Sequence, residues 1–222
     1  MSFEPSHADH TLSYDRAMRE RNRMLKDGIS DAAWYSAVEH RMADAGARIE
    51  KNRLYTIDRI MEAQNGAETS FPSAELALVD LNGKNIIIGD MQNAFANNRR
   101  ADMIAGRTLI GPHRDDVEAI YTTKGTPAKF CSTGEQKALL VSLILANGRA
   151  LAQDFGAAPI LLLDEVSAHL DANRRDALYD EIVALGAQAW MTGTGSELFT
   201  SLGARAQHLE VCDTPEGSIV KL

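Results

Sequence analysis

The chain has 222 residues, of which 45% are apolar, and it carries a net charge of −8 at pH 7. This length and composition predict a globular protein with a sizeable core, either one large α/β domain or one domain with an appendage. The negative charge argues against a uniformly basic nucleic-acid-binding protein, no apolar run is long enough to cross a membrane, and two cysteines are too few for a disulfide framework, so we expect a cytoplasmic location.

Two helices are predicted at the N-terminal end. Residues 6–27 have a charged helical pattern, and Gly28 ends this helix before Ser30 or Asp31 caps the next one. Its arginines, including Arg21, could meet phosphates, but charge on a helix usually marks its solvated face. Two helices joined by a short turn predict an antiparallel hairpin, which either forms an arm or packs within a core. The second helix runs to about residue 62 with one apolar stripe, formed by Trp34, Val38, Met42, Ala45 and Ile49.

The middle of the chain alternates short elements with turn signals. The hexapeptide Gly-Pro-His-Arg-Asp-Asp at 111–116 is either a functional loop or an ordinary connection. The elements predicted around it are a strand at 74–79, a helix at 85–105, a strand at 108–110 and a short hairpin at 117–130.

A long helix is predicted to begin within Ser-Thr-Gly-Glu-Gln-Lys at 132–137. Ser132 and Glu135 have the spacing of a capping box, which explains the helix start structurally. A capping box does not require Gly134, which costs helix stability in the first turn. A glycine there lets a ligand approach the backbone amides, which form an anion site at the positive end of the helix. The hexapeptide therefore predicts phosphate binding.

Four apolar residues, Ile160–Leu163, predict a short strand that is buried on both faces within a parallel sheet. Ligands gather at the carboxyl end of such strands, and this end carries Asp164 and Glu165. Because neighbouring strand residues point to opposite sides, one carboxylate could hold Mg²⁺ while the other orients or deprotonates an attacking water. A solvated acidic turn is the structural alternative.

The rest of the chain continues the alternation of helix and strand, which predicts an α/β fold with a parallel sheet. The predicted elements are a helix from Asp171 or Asn173 to about 185, a strand at 187–191 followed by Thr-Gly-Thr-Gly, a short helix from Ser196, and a closing β pair at 208–211 and 218–222.

Three of these segments resemble motifs of the ABC-type ATPases. Ser132–Gln136 resembles the signature motif, Leu162–Glu165 the Walker B strand and Ser167–Asp171 the D-loop. Together with 111–116 and 174–178, their order and spacing resemble the RecF family of bacterial DNA replication and repair proteins.

The resemblance implies a fold and a domain organisation. Residues 71–222 would be the C-terminal sub-domain of an ABC-type ATPase with a parallel sheet. Residues 1–70 would form an N-terminal helical-hairpin arm similar to the arm of that family.

The resemblance also implies roles for single residues. Asp164 would hold Mg²⁺, and Glu165 would be the general base or water-orienting carboxylate. Thr192 or Thr194 lies where many relatives have a switch residue near the γ-phosphate. The signature residues would contact ATP held by an opposing protomer, and the D-loop residues would lie at the dimer interface. These two sets are Ser132, Gly134 and Gln136, and Ser167, His169 and Asp171.

The partners implied by the family are DNA and other repair proteins. Such a protein dimerises with ATP, binds gapped DNA or single-stranded/duplex junctions, and works with RecO and RecR to load RecA, with no membrane partner.

One departure from the family concerns the phosphate-cradling loop. The sequence contains no G-x-x-x-x-G-K-[ST], because Gly83-Lys84 lacks both the preceding glycine and the following hydroxyl. The family carries this loop in a lobe that precedes the arm. We therefore expect the C-terminal part of such a protein, which alone binds ATP weakly and is inactive.

Two other functions compete with this one. Another ABC-type ATPase is possible, although Thr192 replaces the histidine typical of transporters and about fifty helical residues are too few for the heptad arms of a chromosome-structure ATPase. A non-catalytic interaction or dimerisation module derived from an ABC-type ATPase is favoured by the absent phosphate loop and the acidic charge.

Overall fold

The computed structural model describes residues 3–67, 69–86, 89–166, 170–215 and 217–221. The chain divides into two compact units, which we call the N-terminal unit (Met1–Ala67 with Ser73–Cys131) and the C-terminal unit (Glu68–Pro72 with Ser132–Leu222). Residues 73–131 belong to the same compact unit as the helical pair, and the division into an arm at 1–70 and a lobe at 71–222 stays a prediction. Within the described residues, no helix is both long and apolar enough to span a membrane.

The N-terminal unit begins with the predicted helical hairpin. Helix α1 is His7–Lys26 and helix α2 is Ala32–Asn65. Asp31 caps α2, since its carboxylate accepts hydrogen bonds from the backbone of the next turn. The helices are antiparallel, because His7 meets Asn52 near one end and Glu20 pairs with Arg41 nearer the turn.

Most of the predicted apolar stripe of α2 is buried. Val38, Met42, Ala45 and Ile49 are buried in one cluster with residues of α1. Trp34 was predicted in the stripe but is 44% exposed, and its indole donates to Glu20 at the surface. The next residue, Tyr35, is buried instead.

Arg21 contradicts the prediction that the charged side chains of α1 face solvent. Its side chain is fully buried and paired with the buried carboxylates of Glu39 and Asp102. Sequence periodicity could not find this cluster, because its three members lie far apart along the chain.

A small antiparallel sheet and a third helix complete this unit. The elements are β1 Ala74–Val79, α3 Met91–Ala105, β2 Asp116–Tyr121 and β3 Thr126–Pro127, with short 3-10 helices at Pro112–Arg114 and Ala128–Phe130. Strand β2 pairs with β1 from Ala74↔Tyr121 to Val79↔Asp116, and β3 pairs with the end of β2.

Two predictions in this region were wrong. The helix predicted from residue 85 begins only at Met91, because the chain first continues beside β1, where Ile86 N donates to Leu78 O at 2.9 Å. Residues 108–110 form no strand. The backbone amides of Thr108 and Leu109 donate to the side chains of Asn22 and Asp102 instead.

The C-terminal unit shows the predicted alternation of helix and strand. The elements are α4 Thr133–Phe155, β4 Leu161–Leu163, α5 Ala172–Leu185, β5 Ala189–Met191, a kinked 3-10 segment at Ser196–Arg205, β6 Glu210–Thr214 and β7 Gly217–Lys221. Strands β4 and β5 are parallel, with Leu162 opposite Trp190, and β6 and β7 form the predicted closing pair.

Strand β4 is buried on one face only, which corrects the prediction of burial on both. Leu161 and Leu163 pack with α4 and α5 in the core of the unit. Leu162 is 77% exposed and its strand neighbour Trp190 is 54% exposed. The two side chains form an apolar surface that the described residues leave open.

Candidate functional site

The acidic pair follows β4 directly, at the carboxyl end of the parallel strands. Asp164 and Glu165 are both exposed. Glu165 has φ 51°, and among the described residues it is the single non-glycine residue with positive φ. Such a conformation costs about 1–3 kcal/mol and is concentrated at functional sites. The turn therefore presents both carboxylates to solvent at some expense of stability.

Thr192 holds this turn in place. Its hydroxyl donates to Asp164 Oδ1 at 2.5 Å and accepts from the Glu165 amide at 2.9 Å. Its own amide donates to Leu163 O at 3.1 Å, which extends the pairing of β5 with β4. The structure thus brings Asp164, Glu165 and Thr192 together. Thr194, the other switch candidate, is exposed two residues farther along.

We expect Thr192→Val to loosen the acidic turn. Valine has nearly the same shape but cannot bond either carboxylate residue, so the C-terminal unit should lose about 1 kcal/mol of stability. The matched control is Thr194→Val, which should change stability by less than about 0.5 kcal/mol because the side chain is exposed. Hydrogen exchange of amides in β4 and β5 measures both effects, and equal protection in the two variants would contradict the assigned role.

The start of α4 has the predicted capping box. The Ser132 hydroxyl accepts from the Glu135 amide at 3.4 Å, and the Glu135 carboxylate accepts from the Ser132 amide at 2.9 Å. Ser132, Gly134 and Gln136 are all exposed.

Gly134 is not required by the fold. A Cβ built there would meet nothing within 4 Å, and its φ is not positive. Neither local packing nor backbone conformation therefore explains a residue that weakens the first turn. Approach of a ligand to the backbone remains as an explanation, as the sequence predicted.

Arg174 links the starts of two helices. Asp171 caps α5 by accepting from the Arg174 amide at 2.9 Å, and Arg174 Nε lies 3.7 Å from Asp171 Oδ2. Arg174 Nη1 donates to Gly134 O at 3.4 Å. The guanidinium of Arg174 thus contacts both the D-loop candidate Asp171 and the signature candidate Gly134. Arg174 lies in the segment 174–178 of the family resemblance, but no role was predicted for it. Ser167 and His169 lie outside the described residues.

The chemistry of the acidic turn fits a magnesium ion held together with a phosphate ligand. No group of three or more potential metal ligands occurs in the described part of the chain. Mg²⁺ sites in ATPases commonly use one or two carboxylates plus substrate phosphates. Asp164 gives one oxygen to Thr192 and can offer the other to such an ion.

The hexapeptide at 111–116 is built into the N-terminal unit. Pro112 is buried, and His113 bonds Tyr14 Oη through Nδ1 at 2.9 Å and Thr108 O through Nε2 at 3.2 Å. Burial, the largest influence, lowers the pKa of His113. These contacts favour the structural explanation for Gly111–His113.

The fold is mixed α/β, with a helical hairpin followed by strands that pair both in parallel and in antiparallel. Two solved structures share the fold, both of the recombination mediator protein RecF in the RecFOR pathway, described as RecF–ATPrS and RecF–ATP. Each has a TM-score of 0.71 and 23% sequence identity; they cover 88% and 86% of this chain, and 55% and 54% of their own. The predicted fold class is confirmed.

Sequence comparison gives the relationship directly. No family model matches the chain. It is 44% identical over 225 residues to the DNA replication and repair protein RecF of Allorhizobium ampelinum, 43% over 228 to that of Rhizobium etli and 42% over 222 to that of Rhizobium meliloti. The chain is therefore a homologue of RecF over 96% of its own length, and it spans 59% of the length of these relatives.

Proposed function

We propose that this chain is the C-terminal portion of a RecF-like protein, an ATP-dependent DNA-binding protein of recombinational repair. Residues 1–70 would serve as its arm and 71–222 as its ATPase lobe. The observation that carries the proposal is the acidic turn after β4, where Thr192 fixes Asp164 and Glu165 at the carboxyl end of parallel strands. Homology to RecF over 96% of the chain supports it.

The geometry of the acidic pair supports the roles proposed for its two carboxylates. Asp164 would hold Mg²⁺, which neutralises charge on the phosphates of ATP. Glu165 lies on the next position of the turn and would orient the attacking water or accept its proton. Thr192 would hold the two carboxylates in position through its hydrogen bonds to the turn, and Thr192 or Thr194 would be the switch residue near the γ-phosphate.

The start of α4 would bind the phosphates of ATP held by a second protomer. Ser132, Gly134 and Gln136 are exposed at the positive end of a long helix, as a contact in trans requires. Asp171, with Ser167 and His169, would lie at the interface of a homodimer. Arg174 would connect the two motifs, because it bonds Gly134 O and lies close to the Asp171 carboxylate.

The partners would be those of the whole family. We propose that the complete protein binds gapped DNA or single-stranded/duplex junctions. RecO and RecR would be its partner proteins, and the cytoplasm its location. The relatives are named for DNA replication and repair, and the structural neighbours for the RecFOR pathway.

The open apolar surface of the C-terminal unit supports a role as part of a longer protein. Leu162 and Trp190 are exposed on one face of β4 and β5, and Ile160 beside them is 62% exposed. Apolar patches of this kind mark surfaces that another segment covers. The relatives are longer than this chain and so have further residues available for that purpose.

The proposal is tested by supplying the phosphate-binding lobe. We expect the chain alone to bind MgATP weakly in isothermal titration, because its sequence contains no phosphate-cradling loop of the G-x-x-x-x-G-K-[ST] type. A complete protein, made by joining the preceding segment of the Allorhizobium ampelinum homologue, should hydrolyse ATP. In that protein Glu165→Gln should lower turnover by about 100-fold or more while ATP binding persists.

Two outcomes would count against the proposal. Micromolar binding of MgATP by the chain alone would mean that the ATP site does not depend on a separate phosphate-binding lobe. Absence of turnover in both the complete protein and its Glu165→Gln variant, with DNA binding retained, would favour a non-catalytic module.

A further inference from the structure

The N-terminal unit contains a cavity of about 340 Å³, which is not part of the proposed ATP site. This volume is in the range of small-molecule sites. Its walls are largely apolar, and its charged lining residues are Glu50, Asp80, Asp90, Arg114 and Asp115.

Four carboxylates and one guanidinium therefore face this space, which gives an excess of negative charge. Two of the carboxylates have structural duties. Asp80 accepts from the amides of Asn82 and Lys84 in a turn, and Asp90 caps α3. Asp115 makes one ion pair, with Arg53 at 3.6 Å, and Glu50 and Asp115 are the candidates for binding.

Asp115 is a buried acceptor without a hydrogen bond. Its side chain is 4% exposed, and Oδ2 has no hydrogen-bond partner among the described residues. Arg53 Nη1 is 3.6 Å from this oxygen but donates to Pro112 O at 2.6 Å instead. Arg114 Nε, on the preceding residue, is a buried donor that also has no partner in the described chain and would need an acceptor. Native proteins rarely leave such atoms unsatisfied, so a missing partner is indicated.

Glu50 of α2 also lines the cavity and is buried, since the whole residue is 6% exposed. Burial raises the pKa of Glu50 to about 7, and the charge of Asp115 adds to this rise while Arg53 opposes it. Burial likewise raises the pKa of Asp115 to about 6, with Arg53 opposing and Asp80 adding to the rise. The charged and titratable groups around the pair are Tyr14, Arg53, Asp80, Asp90 and Arg114.

These shifts determine how stability depends on pH. Both groups bind a proton more tightly in the folded chain than in the unfolded chain, where their ordinary pKa values are 4.5 and 3.8. Their contribution to stability is therefore present below those ordinary values and is lost as the pH rises through about 6 and 7. Above that range two buried anions repel each other, and a bound cation would relieve the repulsion.

We propose that this cavity binds an alkylammonium group, with Glu50 and Asp115 bonding the ammonium and the apolar walls holding its stem. An ammonium donates to several acceptors at once, and charge-assisted hydrogen bonds of this kind are strong. A metal ion fits less well, because no cluster of three or more metal-ligating side chains occurs among the described residues. The ammonium could belong to a free polyamine or to a lysine of a partner protein.

The test uses the chain as it is, with n-butylammonium as the probe and n-butanol as the neutral control. At about pH 8 the amine should bind in isothermal titration and raise the melting temperature, while butanol should do neither. At about pH 5.5 binding should weaken about tenfold or more, because both carboxylates take up protons. Glu50→Gln and Asp115→Asn should each weaken binding about tenfold at pH 8.

The matched control is Asp58→Asn, because Asp58 is an exposed carboxylate on the same helix as Glu50. It should bind the amine as the unaltered chain does. Both pocket variants should stay folded at pH 8, since each removes a buried negative charge, and circular dichroism checks this. Equal effects of butylammonium and butanol, or unchanged binding by both pocket variants, would overturn the proposal.

The source of the ammonium is distinguished by two further probes. Tighter binding of putrescine than of Nα-acetyl-lysine methylamide supports a free polyamine. The reverse order supports a lysine side chain of a partner protein.

Discussion

Replacing Arg21 by methionine should lower the free energy of unfolding of the N-terminal unit by about 3–5 kcal/mol, or prevent it from folding. Arg21 is fully buried between α2 and α3. It donates to Glu39 Oε1 at 3.0 Å, to Asp102 Oδ2 at 2.7 Å and to the backbone oxygen of Phe95 at 3.0 Å. Methionine fills similar space but leaves two buried carboxylates without their shared cation.

The large effect comes from the charges left behind, rather than from the net value of the ion pair. A buried ion pair can contribute little compared with an apolar replacement, but removal of one partner is costly. Arg99 also bonds Glu39, so Asp102 should suffer more from the loss. We therefore expect Asp102→Asn to recover part of the stability of Arg21→Met.

Thermal unfolding followed by circular dichroism measures these effects. The matched control is Arg19→Met on the same helix, where the side chain is 78% exposed and pairs with Asp15, so the change should be within about 0.5 kcal/mol. Arg21→Lys keeps the charge without the planar fork and should fall between the two. A loss below about 1 kcal/mol for Arg21→Met would show that the cluster is not needed.

Gly111→Ala should also destabilise the N-terminal unit strongly, by about 2–5 kcal/mol. Gly111 has φ 113° and ψ 179°, a conformation adopted almost entirely by glycine. A Cβ there would lie 2.5 Å from Tyr14 Oη and 3.1 Å from Phe95 Cε1. Tyr14 would have to move, and its hydrogen bond to His113 would break.

Gly134→Ala is the matched control, because it adds the same methyl group where nothing lies within 4 Å. This variant should keep its stability or gain up to about 1 kcal/mol. Comparison of the two melting temperatures separates a structural glycine from one that the fold does not need. Equal losses in the two variants would contradict this distinction.

The sequence predicted elements that local patterns determine. Asp31, Ser132 and Asp171 cap helices as expected, because capping depends on residues within one turn. The parallel pairing of two apolar segments was also predicted from the alternation of helix and strand.

Two of the wrong predictions have a long-range cause. The amides of Thr108 and Leu109 bond side chains of Asn22 and Asp102, one of them 86 residues away, so residues 108–110 do not form a strand. Arg21 looked like a surface charge because its acidic partners lie elsewhere in the chain. Periodicity reports which residues share a face but does not identify what covers that face.

For the candidate site, the sequence predicted the acidic pair and the helix start, and only part of their geometry. The switch role predicted for Thr192 or Thr194 stays a prediction, and the two hydrogen bonds of Thr192 to the turn were not foreseen. The positive φ of Glu165 could not be foreseen, because glutamate rarely adopts it. The catalytic, ATP-binding and interface roles remain predictions.

The one-sided burial of β4 and β5 gives the C-terminal unit a built-in spectroscopic reporter. Trp190 is 54% exposed on the open apolar face, and Trp34 is the only other tryptophan in the sequence. In a Trp34→Phe background the emission of the indole at 190 should shift to shorter wavelength when a segment covers this face, because the ring then leaves water. Assembly of the complete protein can thus be followed by fluorescence, separately from its chemistry.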